Sequence, residues 1–302
     1  MNRVIKTPSV VAALILLVAA AWVLITNSGP IVNGHRSYLV LYIGSMLVAG
    51  GTIAFAVVRR ERSVRLWLSV LAAVPLVILA AAGLWLSPFG ATDVALDAMN
   101  DSGTVAVSES STAIVMVPRE GDAQLGVVFY PGARVDARAY AHLLRPVAQA
   151  GYQVVIVKEP LGIAFLSTGF AATWVESHPE VETWVVSGHS LGGVVASSNA
   201  DAEPDLAGLM LWASFPATDI SDAAISATSI FGTDDGLTTP EKIEESVPDL
   251  PSGTVFVPIE GAIHSYFGDY GLQSGDGVAG VPRDVAQAEI VEAALRFLSS
   301  MR

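Results

Sequence analysis

The stretches 10–26, 38–58 and 66–86 contain no charged side chain, and nothing else in the chain limits its fold as strongly. At 1.5 Å rise per residue, a helix of ~20 residues covers the roughly 30 Å hydrocarbon layer of a bilayer. Each stretch is therefore predicted to be a transmembrane helix. Buried helices of a soluble core usually keep a polar stripe, and these have none. Trp22, Tyr38, Trp67 and Trp85 fall near the predicted span ends, where amphipathic rings favour the headgroup level. Gly44, Gly50 and Gly51 offer places for close helix contact, and Pro75 a kink in the third span.

Charge divides the chain at the same place. Residues 1–86 hold seven basic side chains against the single acid Glu61, whereas the remaining 216 residues hold nine basic and 28 acidic ones. The loop 59–65 carries four arginines, Arg59, Arg60, Arg62 and Arg65, and the N-terminus carries Arg3 and Lys6. Short basic loops stay cytoplasmic, so with three spans the rest of the chain is expected outside the cell. An alternative reading makes the first span a cleavable signal peptide, but Ala19, Ala20 and Ala21 lie inside its apolar run instead of after it. A region of net charge −19 repels nucleic acid and anionic lipid surfaces, and tolerates neutral or cationic substrates better. The expected partners are an acyl substrate and the lipid around the N-terminal helices, with no nucleic acid. The chain has no cysteine, which excludes disulfides, thiolate metal sites and a cysteine nucleophile.

From Ser102 the pattern changes to short β-branched runs separated by amphipathic stretches and glycines, the mark of a mostly parallel sheet with crossover helices. Strands are expected at 113–117, 126–130, 154–158, 184–187, 208–212, 226–231 and 254–258, and helices at 137–150, 191–202, 240–246 and 284–300. This gives an α/β domain over 112–302, a stalk with first edge strands over 87–111, and a membrane domain over 1–86. About a dozen residues separate the strands ending near 213 and starting near 225, too few for a large lid. The long loop 265–283 is the one segment able to shape access.

Gly188-His189-Ser190-Leu191-Gly192 lies between a predicted strand and a predicted helix, the setting of a nucleophile elbow. There a serine hydroxyl projects above the sheet, flanking glycines allow close approach, and the Leu191 amide at the helix start faces a developing oxyanion. A serine needs a base oriented by an acid, and on this fold the order is Ser, acid, His. His264 is the only histidine after Ser190 and follows the last predicted strand. The acid is expected in the turn 231–236, where Asp234 and Asp235 both stand.

These segments resemble the α/β-hydrolase superfamily, more particularly its compact dienelactone-hydrolase-like branch, α/β-hydrolase fold-5, over roughly 126–298. The segment Tyr130-Pro131-Gly132-Ala133-Arg134-Val135-Asp136 is similar to that branch's oxyanion loop, which implies that the Ala133 and Leu191 amides form the hole. The resemblance places the acid at Asp235, and the segment 261–271 around His264 is similar to the branch's histidine loop. Dienelactone hydrolases proper use cysteine where this chain has Ser190, so their lactone substrate does not carry over, and the three spans lie outside that fold.

The function expected is a membrane-anchored serine hydrolase cleaving an ester or related acyl bond through Ser190, His264 and Asp235. The same triad would suit an acyltransferase, and the same fold a non-catalytic binding module. No metal or organic cofactor is implied. Asp269 and Asp276 match no calcium-binding spacing and read as solvated turn residues.

Overall fold

The computed structural model describes residues 7–59, 65–121, 123–203 and 205–301, which form two compact units, Met1–Pro88 and Phe89–Arg302. Arg3, Lys6, Arg60 and Arg62, on which the expected orientation rests, lie outside the described residues, as does Glu61.

In the first unit, helices α1 (Thr7–Thr26), α3 (Ser37–Val58) and α4 (Leu66–Trp85) have windows of mean hydropathy 2.6, 2.0 and 2.3. All three are long and apolar enough to cross a membrane. A short helix, α2 (Ser28–Asn33), joins the first two. The helices meet through small side chains: Ala12, Ala13, Ala49 and Ala80 pack with Leu16 and Leu76. The hydroxyls of Ser9 and Ser69 lie 3.1 Å apart, and Tyr42 donates a 2.8 Å hydrogen bond to the Gly83 carbonyl. Contrary to expectation, Gly44, Gly50 and Gly51 face open space, and Gly83 is the glycine at a helix contact. Alanine already permits close approach, so the contact face fell to alanines and serines. Large apolar side chains such as Val18, Ile25, Val40, Leu47 and Ile78 point outward and are exposed. That arrangement is costly in water and neutral in lipid.

The second unit is an eight-stranded sheet: β1 (Val105–Glu109), β2 (Ala113–Pro118), β3 (Leu125–Tyr130), β4 (Gln153–Val157), β5 (Thr183–His189), β6 (Leu206–Trp212), β7 (Ser226–Gly232) and β8 (Val255–Ile259). The spatial order is β1-β2-β4-β3-β5-β6-β7-β8. β1 and β2 pair antiparallel, β2 is antiparallel to β4, and every other pairing is parallel. The central strands are apolar on both faces because helices cover both. Val127 and Phe129 of β3 face a layer that includes Leu143, Leu144 and Val147 of α6 (Ala141–Gln149) and Ile290, Ala294 and Leu298 of α10 (Arg283–Ser299). The alternate residues Val128 and Tyr130 face Ala171 of α7 (Phe170–Ser177) and Val195 and Ala196 of α8 (Leu191–Ala202). The result is a three-layer α/β/α unit. The sheet's parallel strands all end at one rim.

The helix expected at 137–150 begins as a 3₁₀ turn, Ala137–Tyr140, before α6, and the one expected at 240–246 is α9 (Pro240–Glu245). From Phe89 onward, the segment expected as stalk and edge packs onto the second unit. Phe89 bridges Val135, α5 (Asp93–Asp97) follows, and Ala98 and Val105 enter the core. α7 was not expected; its eight residues are held by the Ala171 amide donating to the Tyr130 hydroxyl (3.0 Å) and by Phe170 stacking on Trp174. Support from the distant Tyr130 leaves little periodic signal in so short a segment.

Candidate active site

Ser190 occupies the turn between β5 and α8 with φ 52° and ψ −121°. The left-handed region is costly for a residue with a Cβ and persists where the surroundings enforce it. Here the Ser190 amide donates to the Trp212 carbonyl (3.0 Å), and the Ser214 hydroxyl donates to the Ser190 carbonyl (2.7 Å). A Cβ on Gly188 would drive into the main chain of Gly192, and one on Gly192 into the carbonyl of Tyr130. Both glycines are thus required by the approach of α8 to β3 and β5.

Among the described residues, four non-glycine residues have left-handed backbones: Arg134, Leu161, Ser190 and Ala213. They follow β3, β4, β5 and β6, which are consecutive neighbours in the sheet. The strain is therefore gathered on one rim, as is common where backbone geometry serves a site.

The loop after β3 lies on that rim beside Ser190. Gly132 donates its amide to the Tyr140 hydroxyl (2.8 Å), Arg134 to the Gly162 carbonyl (2.7 Å) and Val135 to the Gly132 carbonyl (3.0 Å). Ala133, between them, makes no such bond to the described residues. The Leu191 amide opens α8, where first-turn N–H groups have no intrahelical acceptor. Two main-chain donors are therefore left free on either side of the elbow.

His264 begins a 3₁₀ turn, His264–Phe267, after β8. Its Nδ1 lies 2.8 Å from Asp235 Oδ2, and both side chains are buried. The other oxygen of Asp235 accepts the amides of Leu237 (2.8 Å) and Thr238 (2.7 Å), so the carboxylate is fixed before it meets the ring. An acceptor at Nδ1 assigns that nitrogen the proton and leaves Nε2 as the basic atom. Nε2 is buried without a hydrogen-bond partner among the described residues. Of the two acids in the turn, Asp235 meets the histidine, while Asp234 is exposed. The Ser190 hydroxyl makes no hydrogen bond to His264 among the described residues; the ring of His189, the residue before Ser190, lies 4.5 Å from that of His264 between centres. Such bonds commonly tighten only with substrate present.

Asp269 is buried and not a solvated turn residue, and Asp276, although partly exposed, is engaged in main-chain hydrogen bonds. Asp276 accepts the amides of His264 (2.9 Å), Ser265 (2.8 Å) and Gly277 (2.8 Å), and so clamps the main chain that carries the ring. Asp269 is 3% exposed and accepts from Gln287 of α10 (3.0 Å) and His142 of α6 (3.1 Å). The partners of Asp269 are side chains on separate helices and those of Asp276 are main-chain amides of its own loop, neither of which residue spacing reveals. Arg283 completes the loop by donating to the carbonyls of Ser265 (2.8 Å) and Gly268 (2.7 Å). The connection 213–225 between β6 and β7 carries no helix or strand, leaving that side of the rim without an inserted lid. Among the described residues, no group of three or more histidines and acids is arranged to hold a metal ion.

A strained serine between a parallel strand and a helix, on a three-layer sheet rim shared with a buried His-Asp pair, defines an α/β-hydrolase arrangement. The chain belongs to the alpha/beta hydrolase family, whose sequence pattern matches residues 126–288. Among solved structures it is similar to a protein described as a CIB-like hydrolase from Thermoplasma acidophilum, at 15% identity over 64% of this chain and 98% of that one, with a TM-score of 0.49. It is also similar to one described as a dienelactone hydrolase from Klebsiella pneumoniae, at 15% identity over 65% of this chain and 96% of that one, TM-score 0.48. A thermophilic esterase from Thermogutta terrifontis shares 17% identity over 66% of this chain and 93% of that one, TM-score 0.47. No curated protein matches the chain.

Proposed function

We propose that the protein is a membrane-anchored serine hydrolase that cleaves an ester or related acyl bond outside the cell. The observation that carries this reading is the buried His264–Asp235 pair, 2.8 Å apart, on the same rim as the left-handed Ser190. In the proposed reaction, the Ser190 hydroxyl attacks the substrate carbonyl as its proton passes to Nε2 of His264. The tetrahedral oxyanion is held by the Ala133 and Leu191 amides, and Asp235 stabilises the imidazolium. The C–O bond to the leaving group breaks as His264 returns the proton to it, which leaves an acyl-serine. Water, deprotonated by His264, then attacks the acyl carbon, and the carboxylic acid leaves as Ser190 regains its proton.

The address follows from charge and length. Three apolar helices preceded by Arg3 and Lys6, with the basic loop 59–65 between the second and third, favour release of the hydrolase unit on the outer face. Protease treatment of intact cells should remove that unit; full protection would place it inside. A net charge of −19 after residue 86 favours neutral or cationic acyl substrates over anionic ones.

The decisive experiment incubates membranes holding the full chain with a fluorophosphonate probe. The wild type should be labelled and Ser190→Ala should not, with hydrolysis falling roughly 10⁴-fold or more. Equal labelling of the two, or none of the wild type, would remove the serine-hydrolase reading and leave a binding module. Product analysis with added alcohols distinguishes hydrolysis from acyl transfer to an alcohol: dominant ester formation would assign the latter.

A further inference from the structure

Tyr140 ends the turn Ala137–Tyr140 and is fully buried. Its position is fixed from behind: Asp136 accepts the Arg138 amide (3.0 Å) and holds the Arg138 guanidinium through both carboxylate oxygens. The Tyr140 hydroxyl has two neighbours. It receives the N–H of Gly132 at 2.8 Å and lies 2.8 Å from Nδ1 of His189. A phenol has one proton, and with the amide already donating to its oxygen, that proton is directed to His189. His189 is then the neutral tautomer with its hydrogen on Nε2.

Burial, and after it the neighbouring His264, hold the His189 imidazole well below the usual histidine range. The titratable groups whose rings face it are Tyr140, His264 and Tyr270. Both tyrosines are themselves pushed up by burial, so neither brings a charge. Glu159, which acts on Tyr140, is also raised well above the carboxylate range by burial. The ring of His189 thus offers its neighbours an uncharged, fixed surface. It packs against His264 at 4.5 Å between centres, and stacks on Phe267 at 5.9 Å with 7° between planes. Gly132 is pressed onto the same pair: a Cβ there would stand 2.7 Å from His189 Nδ1 and 3.2 Å from the Tyr140 oxygen.

We infer that Tyr140 and His189 are positioning residues for acyl transfer, joining the oxyanion loop at Gly132 to the serine elbow and to the ring of the base. The inference rests on the serine-hydrolase reading. Gly132 immediately precedes Ala133, whose free amide is a proposed oxyanion donor, and His189 immediately precedes Ser190. Two hydrogen bonds to one hydroxyl therefore set the relative position of donor, nucleophile and base. Loss of the hydroxyl leaves a buried Gly132 N–H without an acceptor and frees the loop to shift, and small displacements of reacting groups are costly to rate. If the pair merely filled space, deleting one oxygen would affect stability and leave catalysis intact.

The test uses the full chain in detergent, with p-nitrophenyl butyrate for kinetics and fluorophosphonate labelling of Ser190. Tyr140→Phe keeps the ring and should lower kcat about ten- to a hundredfold, with KM changed about twofold at most. His189→Asn retains an oxygen near the place of Nδ1 and should keep most of the wild-type kcat. His189→Leu, which cannot accept the bond, should fall with Tyr140→Phe. The double variant Tyr140→Phe/His189→Leu should be about as slow as the slower single one, since both remove the same connection. A Tyr140→Phe variant within about twofold of wild-type kcat would overturn the inference, as would multiplying losses in the double variant or no advantage of asparagine over leucine. Failure of the hydrolase reading is distinguishable: the wild type would then escape labelling, or Ser190→Ala would be labelled equally, and the positioning role would fall with it.

Discussion

Both carboxylate oxygens of Glu159, just beyond β4, are buried without a hydrogen-bond partner among the described residues. Burial raises this group well above its ordinary value of 4.5. Between 4.5 and the raised value, the folded chain holds a proton that the unfolded chain has released, so stability falls as pH rises through that window. Glu159→Met should therefore stabilise the fold near neutral pH by on the order of 1–3 kcal/mol and flatten that decline, as followed by thermal melting at several pH values. A variant melting lower than wild type at every pH would show that the carboxyl has an undetected favourable role. The two acids of the turn after β7 pose a different problem. The sequence offers Asp234 and Asp235 with equal turn chemistry, and only the backbone sends one inward to His264 and the other to solvent. Asp235→Asn should lower kcat on the order of 10⁴-fold, whereas Asp234→Asn should stay within about twofold. The reverse order in steady-state assays would reassign the acid. Motif, order and uniqueness single out Ser190 and His264 as candidates in the sequence. Tyr140 and Asp276 are not singled out, because their partners are a main-chain amide of the same connection with a ring from β5, and the amides of the loop itself.

His142 of α6 and Gln287 of α10 both reach Asp269, so two helices on one face of the sheet hold the loop that follows His264. The hydrogen bond it donates to Asp269 raises His142 above 6.5, against a smaller opposing effect of burial. A histidine raised on folding contributes stability that is fully present below 6.5 and is lost as pH rises through its folded value. His142 is about half exposed, so solvent keeps the contribution small. The melting temperature of His142→Gln should lie below wild type near pH 6 and converge with it as pH rises; a gap independent of pH would mean the contact is packing alone. The expected strands and helices of the hydrolase unit were readable because buried parallel strands are continuous apolar runs and their helices carry a period. α7 was not readable, since the hydroxyl of Tyr130, far away in sequence, holds a helix only eight residues long. In the membrane-type helices, composition announced length but not the face of contact, because a small residue is equally at home against lipid or against another helix.

Charge and hydropathy together mark a division of the chain near residue 86, since a bilayer and water select opposite compositions. Sheet order is not marked in this way. β4 lies outside β3, and β1 and β2 close that edge antiparallel, an arrangement set by crossover handedness and edge protection instead of by local sequence. The rim where this topology brings the strand ends together also concentrates the four left-handed residues Arg134, Leu161, Ser190 and Ala213. Backbones of this kind cost of order 1–3 kcal/mol each, against a total stability of about 5–15 kcal/mol for a typical domain. Warming should therefore disarm the protein before it denatures it. Labelling of Ser190 should decay several degrees below the loss of far-ultraviolet dichroism of the hydrolase unit, and transitions that coincide would show the rim to be as sturdy as the layers beneath it. A chain built this way trades shelf life for readiness: heat would blunt the working edge while most of the body still stands.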